Sequence, residues 1–305
     1  MGKIKKDSLG DRQKQYEKVQ EHYLVPKMPF IIRVDGKAFH TYTRGFVKPF
    51  DNVMSNAMLS TMKSLCEDIP GAVFGYTQSD EITIVCKYTD RIKSQAWFGG
   101  RVEKIVAITA SKATKYFNKY FSEEVMSIRN EYWINLRNKA YDTDFVKNVN
   151  TQEIADKLAE RYADKEIKQI KLMDVYLRKI GNAEFDSRVF NIPEWDCINN
   201  VIWRQQDAIR NSIEAVGQAN FSAKELHKIT CSDIKIKLKD KRNIDWDDDF
   251  DYYQKQGTCA YKVMETKTVK GSLVLRSKWH YDRNENFVIQ DDRDRFSELT
   301  GLKED

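Results

Sequence analysis

The stretch GYTQSDEITIVCKY, residues 75–88, places two carboxylates between two runs of residues that favour β-structure. Apolar and aromatic residues lead into the Ser-Asp-Glu triplet at 79–81, and a strongly β-prone run follows it. Acidic side chains at such a junction are costly unless they form hydrogen bonds, pair with cations or hold a metal ion. The stretch therefore predicts a β-hairpin, with strands over 72–78 and 82–88, whose tight turn carries these carboxylates.

The elements around this hairpin occur in an order that defines a fold class. They are a strand over 28–34, a helix over 51–67 with Asp51 as its N-cap, a helix over about 95–118 and a strand over 187–192. With the segment 119–184 set aside, the order is β-α-β-β-α-β, the ferredoxin-like arrangement of an α+β protein. Its first strand lies beside the central hairpin, so Asp35, at the end of that strand, is expected to lie near Asp80.

The segment 119–184 is predicted to be a charged helical insertion. In residues 151–181, 13 of 31 residues are charged, which indicates a solvated helical layer. Simple peripheral packing is therefore a better explanation of this segment than a functional site. A long helix after Pro193 and two late strands, about 259–266 and 271–277, complete the ordered part. The predicted domains are a palm over 1–118 and 185–230, the insertion over 119–184, and a C-terminal α/β extension over 231–305.

Composition indicates a soluble, cytoplasmic protein with a sizeable core. The chain has 305 residues, 41% of them hydrophobic, and its net charge of +5 points only weakly to an anionic partner such as RNA. No apolar run approaches the roughly 20 residues of a membrane span, and the N-terminus has no signal-peptide core. Five cysteines without C-x-x-C spacing are expected to be reduced and buried. The histidines are too scattered to suggest zinc, so a metal would be held by oxygen.

Asp35 and Asp80, which converge from a strand end and a hairpin turn, would form such an oxygen site. It suits Mg²⁺, and a pair of these ions can activate an attacking oxygen and stabilise a leaving one. The carbonyl of Gly36 can add a ligand. Basic residues nearby can meet the charge of a triphosphate: Lys37, His40, Arg44 and Lys48. Taken alone, each aspartate is better explained by an ordinary turn or a solvated hairpin tip; taken together, they favour a metal site.

Glu81 has a different expected role. One step along a strand reverses the direction of the side chain, so Glu81 is expected to orient Asp80 or a lysine and not to contact the metal.

These residues resemble the motifs of the tRNA(His) guanylyltransferase family. In chain order the matching motifs are RVDGKAFH at 33–40, KPxD at 48–51, YxQSDE at 76–81, FDSRV at 185–189 and WRQxD at 203–207. Members of this family are 3′–5′ nucleotide-adding enzymes with a palm like that of ordinary polymerases. The resemblance covers about 7–118 and 185–230 well, and the C-terminal part loosely.

The resemblance implies roles for individual residues. Asp35 and Asp80, with the Gly36 carbonyl, correspond to the ligands of two Mg²⁺ ions, and Glu81 corresponds to a nearby acid needed for activity. The residues that correspond to the nucleotide-triphosphate site are Asp35, Gly36, Lys37, Ala38, Phe39, His40, Ser79 and Asp80. Lys48 joins this set on account of its charge. The catalytic residues expected are therefore Asp35, Asp80 and Glu81.

Family chemistry implies two phosphoryl transfers at this site. A 5′-monophosphate RNA end is activated by ATP or GTP, and the 3′-hydroxyl of an incoming nucleoside triphosphate then attacks the activated phosphate. The implied partners are tRNA and nucleoside triphosphates. Members of the family form homotetramers built as dimers of dimers.

One departure bears on the substrate. Eukaryotic members carry a His-Ile-Asn-Asn motif after the WRQxD stretch, whereas residues 209–212 read Ile-Arg-Asn-Ser here. This variant resembles bacterial and archaeal guanylyltransferase-like proteins, which act in template-directed repair of the tRNA 5′ end. We therefore predict a template-dependent 3′–5′ nucleotidyltransferase acting on truncated tRNA. The alternatives are a tRNA(His) guanylyltransferase that adds the extra 5′ guanylate, a non-catalytic RNA-binding module, and a palm-type cyclase or 5′–3′ polymerase.

Overall fold

The computed structural model describes residues 8–88, 93–141, 152–269 and 272–303. The strands are β1 (Phe30–Gly36), β2 (Ala72–Gln78), β3 (Glu81–Cys86), β4 (Phe185–Asn191), β5 (Thr258–Val269) and β6 (Ser272–Tyr281). The helices are α1 (Leu9–Lys18), α2 (Phe39–Tyr42), α3 (Asn52–Asp68), α4 (Val102–Tyr141), α5 (Gln152–Lys179), α6 (Cys197–Asn220), α7 (Cys231–Arg242), α8 (Tyr252–Gln256) and α9 (Arg293–Thr300).

The strands form one six-stranded antiparallel sheet in the order β4-β1-β3-β2-β5-β6. The part β4-β1-β3-β2, with α3 and α4 between the strands in sequence, is the predicted βαββαβ unit, so the ferredoxin-like arrangement is confirmed. The late strands β5 and β6 are longer than predicted and extend this same sheet through β2. The register of β1 places Asp35 opposite Glu81 on one side and opposite Asp186 on the other.

Helix α4 differs most from the prediction. The helix expected over about 95–118 begins at Val102 and continues to Tyr141. It begins late because residues 97–100 form a 3₁₀ turn in which Phe98 and Gly99 have left-handed backbone angles. Residues 119–141, predicted to belong to a separate helical insertion, are helical but continue α4.

The core lies on both faces of the sheet because successive residues of a strand point in opposite directions. Ile32 of β1 packs in the cluster formed with α3 and α4, whereas Ile31 packs in the cluster that contains Val201 of α6. The central strand β3 is buried along its whole length. The sheet therefore lies between α3 and α4 on one side and α6 on the other.

The segment 119–184 contributes to the core at both of its ends. Phe121 and Val125 of α4 and Tyr176 of α5 are buried in the main cluster, where Phe46 stacks on Phe121 at 5.6 Å between ring centroids. The expectation of purely peripheral packing is therefore wrong at these positions, because both helices run past the loop after β1 and cover it. Residues 142–151 lie outside the described part, and the division into domains stays a prediction.

Two expectations from composition can be compared with the structure. All five cysteines are free, as predicted, and four of them are buried; the fifth, Cys231, is partly exposed, contrary to the prediction. Within the described ranges, no helix is long and apolar enough to cross a membrane.

Gly75 of β2 offers a test of how closely α3 packs on the sheet. A Cβ atom at this position would lie 2.5 Å from Cys66 Sγ and 3.4 Å from the Met62 side chain, and both of these residues are buried. We expect Gly75→Ala to lower the free energy of unfolding by about 1–3 kcal/mol, because overpacking forces side chains and backbone to move. Urea-induced unfolding measures the difference from the unmodified protein.

Gly10→Ala in the exposed helix α1 is the matched control. The nearest atom to its added Cβ would be Ser8 Oγ at 3.7 Å, and alanine favours a helix by up to about 1 kcal/mol over glycine. This variant should be as stable as the unmodified protein or more so. Equal losses for both glycine variants would contradict the packing argument.

Candidate active site

Asp35 and Asp80 meet at the end of the sheet where β1 lies beside the β2–β3 hairpin. The backbone N–H of Gly36 donates to the carbonyl oxygen of Asp80 at 3.1 Å, and Asp35 lies opposite Glu81 in the register. Ser79, the first residue of the turn, has a φ of 48°, a conformation that two-residue hairpin turns require. Both aspartates line the same cleft. The structure therefore brings together the pair that the sequence singled out.

The charge of Asp80 is poorly compensated. Burial raises the pKa of Asp80 to about 6, and the negative charges of Asp35 and Glu81 add to this effect, against hydrogen bonds from its own backbone and from Ser79 that lower it. A nearby cation would favour the charged form of both carboxylates. The pair thus has the electrostatics of a cation site.

The donor set fits Mg²⁺ in particular. Among the described residues, no group of three or more His, Cys, Asp or Glu side chains is arranged to hold a metal. The site instead offers two carboxylates and the backbone of Gly36, which also lines the cleft. Mg²⁺ keeps several waters and binds through one or two carboxylates plus substrate phosphates, so it needs no larger set of protein ligands.

The cleft beside the two aspartates has a volume of about 470 Å³, within the range of small-molecule sites. The predicted nucleotide-binding residues that line it are Asp35, Gly36, Ala38, Phe39, His40, Lys48, Ser79 and Asp80. Ala38 has a φ of 54°, so, like Ser79, it is a non-glycine residue in the left-handed region. Backbone strain of this kind is typical of ligand sites, where the surrounding structure maintains it.

Two of the basic residues expected near a triphosphate do not line the cleft. Lys37 Nζ pairs with Glu184 Oε2 at 2.6 Å, and the Lys37 backbone N–H donates to the Glu184 carbonyl at 2.9 Å. Arg44 is also absent from the lining residues. Lys48 and His40 therefore supply the basic groups of the cleft wall, and nucleotide binding by Lys37 stays a prediction.

Asp51 links the cleft to the insertion. Its carboxylate accepts hydrogen bonds from the backbone of Met54 at 3.0 Å and Val47 at 2.9 Å, so the predicted N-cap is confirmed. It also accepts a hydrogen bond of 2.6 Å from the Tyr176 hydroxyl of α5. Burial, together with this bond, raises the pKa of Tyr176 above its usual range. The insertion thus holds one wall of the cleft in place, which local sequence patterns did not reveal.

Glu81 does not line the cleft but forms a buried ion pair with Arg204 of α6. Nε and Nη2 of Arg204 donate to the Glu81 carboxylate at 2.7 and 2.8 Å, and Nη2 also reaches Asp207 at 3.0 Å. Both Glu81 and Arg204 are less than a tenth exposed. The expected partner, Asp80 or a lysine, is therefore replaced by an arginine. A catalytic role for Glu81 stays a prediction, and its contacts describe a residue that positions the hairpin.

Gln205 joins the same helix to the C-terminal segment. Its Nε2 donates to the carbonyl oxygen of Phe287 at 2.8 Å, and its Oε1 accepts from the backbone N–H of Ile289 at 2.8 Å. The WRQxD motif is part of the family resemblance, and the sequence pattern by itself assigns it no structural role. The structure shows that its Arg204 fixes α6 against the sheet and its Gln205 fixes it against the C-terminal segment, whereas Asp207 pairs with Arg204 within the helix.

The fold and this site define a class of protein. It is an α+β palm in which two carboxylates converge at the end of an antiparallel sheet, beside a cleft whose wall carries basic residues. That arrangement is suited to metal-assisted phosphoryl transfer from nucleotides.

Comparison with known proteins identifies the family. The family model for tRNAHis guanylyltransferase matches residues 10–193. The chain belongs to this family, whose enzymes are nucleotidyltransferases.

Two solved structures are similar over nearly the whole chain. A bacterial tRNA(His) guanylyltransferase-like protein in complex with ATP is 33% identical, with a TM-score of 0.68 over 97% of this chain and 100% of that one. Such a protein in complex with GTP gives 32% identity and a TM-score of 0.67 over the same shares. The crystal structure of tRNA(His) guanylyltransferase from Saccharomyces cerevisiae, 16% identical with a TM-score of 0.55, shows the shared fold alone.

Curated relatives match over different lengths. Uncharacterized protein R259 of Acanthamoeba polyphaga mimivirus is 26% identical over 89% of this chain and 83% of its own length. The tRNA(His) guanylyltransferase of Saccharomyces cerevisiae is 27% identical over 48% of this chain and 60% of that protein.

The Glu81–Arg204 pair leads to a prediction about stability. We expect Arg204→Ala to lower the free energy of unfolding by about 3–5 kcal/mol, because Glu81 would be left buried without a cation. Glu81→Ala should cost less, since Arg204 would keep Asp207 as a partner at 3.0 Å. Unfolding in guanidinium chloride measures both values.

Arg178→Ala is the control for removing an arginine. This change breaks the pair between Arg178 and Asp174 on α5, in which the Arg178 side chain is 77% exposed. It should lower the free energy of unfolding by less than about 0.5 kcal/mol. If Arg204→Ala were as mild as this surface variant, the buried pair could not be what positions the hairpin.

Proposed function

We propose that this protein is a template-dependent 3′–5′ nucleotidyltransferase that adds nucleotides to the 5′ end of truncated tRNA. The observation that carries the proposal is the convergence of Asp35 and Asp80 on a cleft of about 470 Å³ that Lys48 and His40 also line. Similarity over 97% of the chain to bacterial proteins in complex with ATP and with GTP supports a nucleotide in that cleft.

The reaction consists of two transfers at phosphorus. In the first, the 5′-monophosphate end attacks the α-phosphate of ATP or GTP and pyrophosphate leaves. In the second, the 3′-hydroxyl of the incoming nucleotide attacks the activated 5′ phosphate and the nucleoside monophosphate leaves. Two Mg²⁺ ions held by Asp35, Asp80 and the Gly36 carbonyl would activate the attacking oxygen and stabilise the leaving one. The protein's own part is to hold the triphosphate against the loop after β1 and to meet its charge with Lys48 and His40.

The positions of the two aspartates depend on residues behind them. Glu81, clamped by Arg204, fixes the first residue of β3, so the turn that carries Asp80 cannot shift along β1. Asp51 fixes the opposite wall through Val47 and Tyr176. Transfer between two bound substrates is sensitive to small shifts of the groups that position them, because reacting atoms must lie about 3–3.5 Å apart.

The choice of nucleotide is proposed to come from base pairing with a template. Ile209, which stands where the family's eukaryotic members have histidine, packs against the apolar cluster that contains Ile213 and Val216. Its side chain offers no donor, acceptor or titratable proton. Arg210, the next residue, is exposed and pairs with Asp207. Nothing at this position reproduces contacts of an imidazole, so the protein needs a template to select the base.

Assembly and location belong to the same proposal. We expect a homotetramer built as a dimer of dimers and a cytoplasmic location, as the resemblance and the composition indicate. The proposed palm, 1–118 with 185–230, would carry the chemistry, and the insertion would support it through Tyr176. The extension over 231–305 would brace the palm through β5, which pairs with β2.

The metal site yields a prediction that two measurements test, nucleotide addition and thermal stability. Asp35→Asn and Asp80→Asn should each abolish nucleotide addition, because each removes a metal ligand and its charge. The unmodified protein should melt at a higher temperature when Mg²⁺ and ATP are added together, and both variants should lose this shift. Neither change should lower the stability of the metal-free protein, since each relieves repulsion between the two carboxylates.

Asp174→Asn serves as the control for the loss of one negative charge on the surface. Asp174 is exposed, and its ion-pair partner in the part of the chain that the structure describes is Arg178, so addition and the Mg²⁺–ATP shift should both be retained. Normal turnover in either Asp35→Asn or Asp80→Asn would rule out the assigned site.

The template requirement can be tested by changing only the RNA substrate. We expect the protein to add, to several tRNA transcripts lacking their first nucleotide, the nucleotide complementary to the unpaired base on the 3′ side. Changing that base should change the nucleotide added, because pairing selects it. Product analysis by gel electrophoresis with each triphosphate in turn gives the result.

Intact tRNA(His) separates the competing functions in the same assay. Faster untemplated addition of guanylate to it would identify the tRNA(His) guanylyltransferase activity instead. Extension at the 3′ end or a cyclic product would identify an ordinary polymerase or a cyclase. RNA binding without any product would leave only a non-catalytic module.

A further inference from the structure

Trp203 is a large aromatic residue that the mechanism above does not use. It lies on α6 directly before Arg204, and 51% of it is exposed. A single exposed apolar residue is common on a protein surface, so the exposure of Trp203 alone assigns it no partner. Its surroundings indicate one.

Two guanidinium groups hold the indole ring. The Cζ atom of Arg204 lies 4.5 Å from the ring centroid, and that of Arg33 lies 6.0 Å from it. Arg204 is itself clamped by Glu81 at 2.7 and 2.8 Å. The nearer of the two guanidinium groups is therefore held by the same ion pair that positions the Asp80 turn.

Arg33 connects this ring to the candidate active site. It lies two residues before Asp35 on β1, so both side chains point to the same face, about 7 Å apart along the strand. Arg188 of β4 lies directly opposite Arg33 in the register, and its Nη2 is 3.9 Å from Asp35 Oδ2. The tryptophan and two arginines thus form a continuous patch that ends at Asp35.

The charge of this patch points to an anion. Arg188 pairs with Asp35 and Asp186, but no carboxylate of the described residues lies within ion-pair distance of Arg33. The buried Nε of Arg33 has no acceptor there either. Arg33 and Arg188 lie directly opposite each other, a repulsive arrangement in which only Arg188 has carboxylate partners among the described residues.

We propose that Trp203 stacks on an unpaired nucleobase at the acceptor end of the RNA, while Arg33 and Arg188 contact the adjoining phosphate. This inference rests on the proposed function and assigns Trp203 as a residue that positions the RNA. An aromatic ring beside arginines is the combination that proteins use to bind single-stranded nucleic acid. Stacking does not depend on which base is present, which suits an enzyme whose template strand varies between tRNAs.

The ligand for the test is a 5′-monophosphorylated tRNA transcript that lacks its first nucleotide, with Mg²⁺ and no nucleoside triphosphate. Binding is followed by fluorescence anisotropy. We expect Trp203→Ala to weaken binding about tenfold and Trp203→Phe to restore most of the affinity, because a smaller ring can still stack. Trp195→Ala is the matched control. Trp195 is 45% exposed and lies in the 3₁₀ turn directly before α6, outside the patch.

A readout on the RNA separates stacking from a structural role. Each unpaired nucleotide of the acceptor end is replaced in turn by an abasic one. At one position the missing base should weaken binding to the unmodified protein about tenfold and should add nothing to the loss in Trp203→Ala. If the losses from Trp203→Ala and every abasic position simply add, the proposal is wrong.

Other results have equally definite meanings. A change in oligomeric state of Trp203→Ala, seen by size-exclusion chromatography, would assign the ring to a protein interface and overturn the proposal. If the unmodified protein shows the coupling but adds no nucleotide, the inference stands and the proposed function fails. If it adds nucleotides and the coupling is absent, the proposed function stands and this inference fails.

Discussion

The buried ion pair between Glu81 and Arg204 is the interaction on which the site depends. It joins the first residue of the central strand to the helix that covers the sheet, with both partners less than a tenth exposed. Two hydrogen bonds to one carboxylate fix direction as well as distance. Because Glu81 lies opposite Asp35 and directly follows Asp80, the pair determines where both aspartates stand. The same guanidinium also supports Trp203 on its outer side.

The cleft is built from groups that are individually unfavourable. Ala38 and Ser79 hold left-handed backbone angles, and Asp80 carries a carboxyl group whose pKa burial raises to about 6. Each of these features has a cost in the protein alone, and each would be relieved or used when a cation and a triphosphate bind. Of the six non-glycine residues that have a positive φ in the described ranges, two line this cleft, so part of the backbone strain lies where the ligand would bind.

Parts of the chain that contain no catalytic residue nevertheless shape the site. Tyr176, from the segment that sequence patterns describe as an insertion, holds Asp51 at the cleft wall. Gln205 ties the covering helix to the chain end through Phe287 and Ile289. The site is thus a product of the whole chain, which agrees with a structural similarity that extends over 97% of it.

Sequence alone determined the order of the strands and helices, the ferredoxin-like arrangement and the meeting of Asp35 with Asp80. The order of the elements follows from alternation, capping and turn residues, which act between neighbours in the chain. The meeting of Asp35 with Asp80 follows from that order, because a ferredoxin-like sheet places the first strand beside the hairpin. Only the tertiary structure decided that Glu81 pairs with Arg204, 123 positions away, and that Lys37 turns to Glu184. Such partners depend on how a helix lies across a sheet face, and that angle and depth are set by the packing of side chains from distant segments.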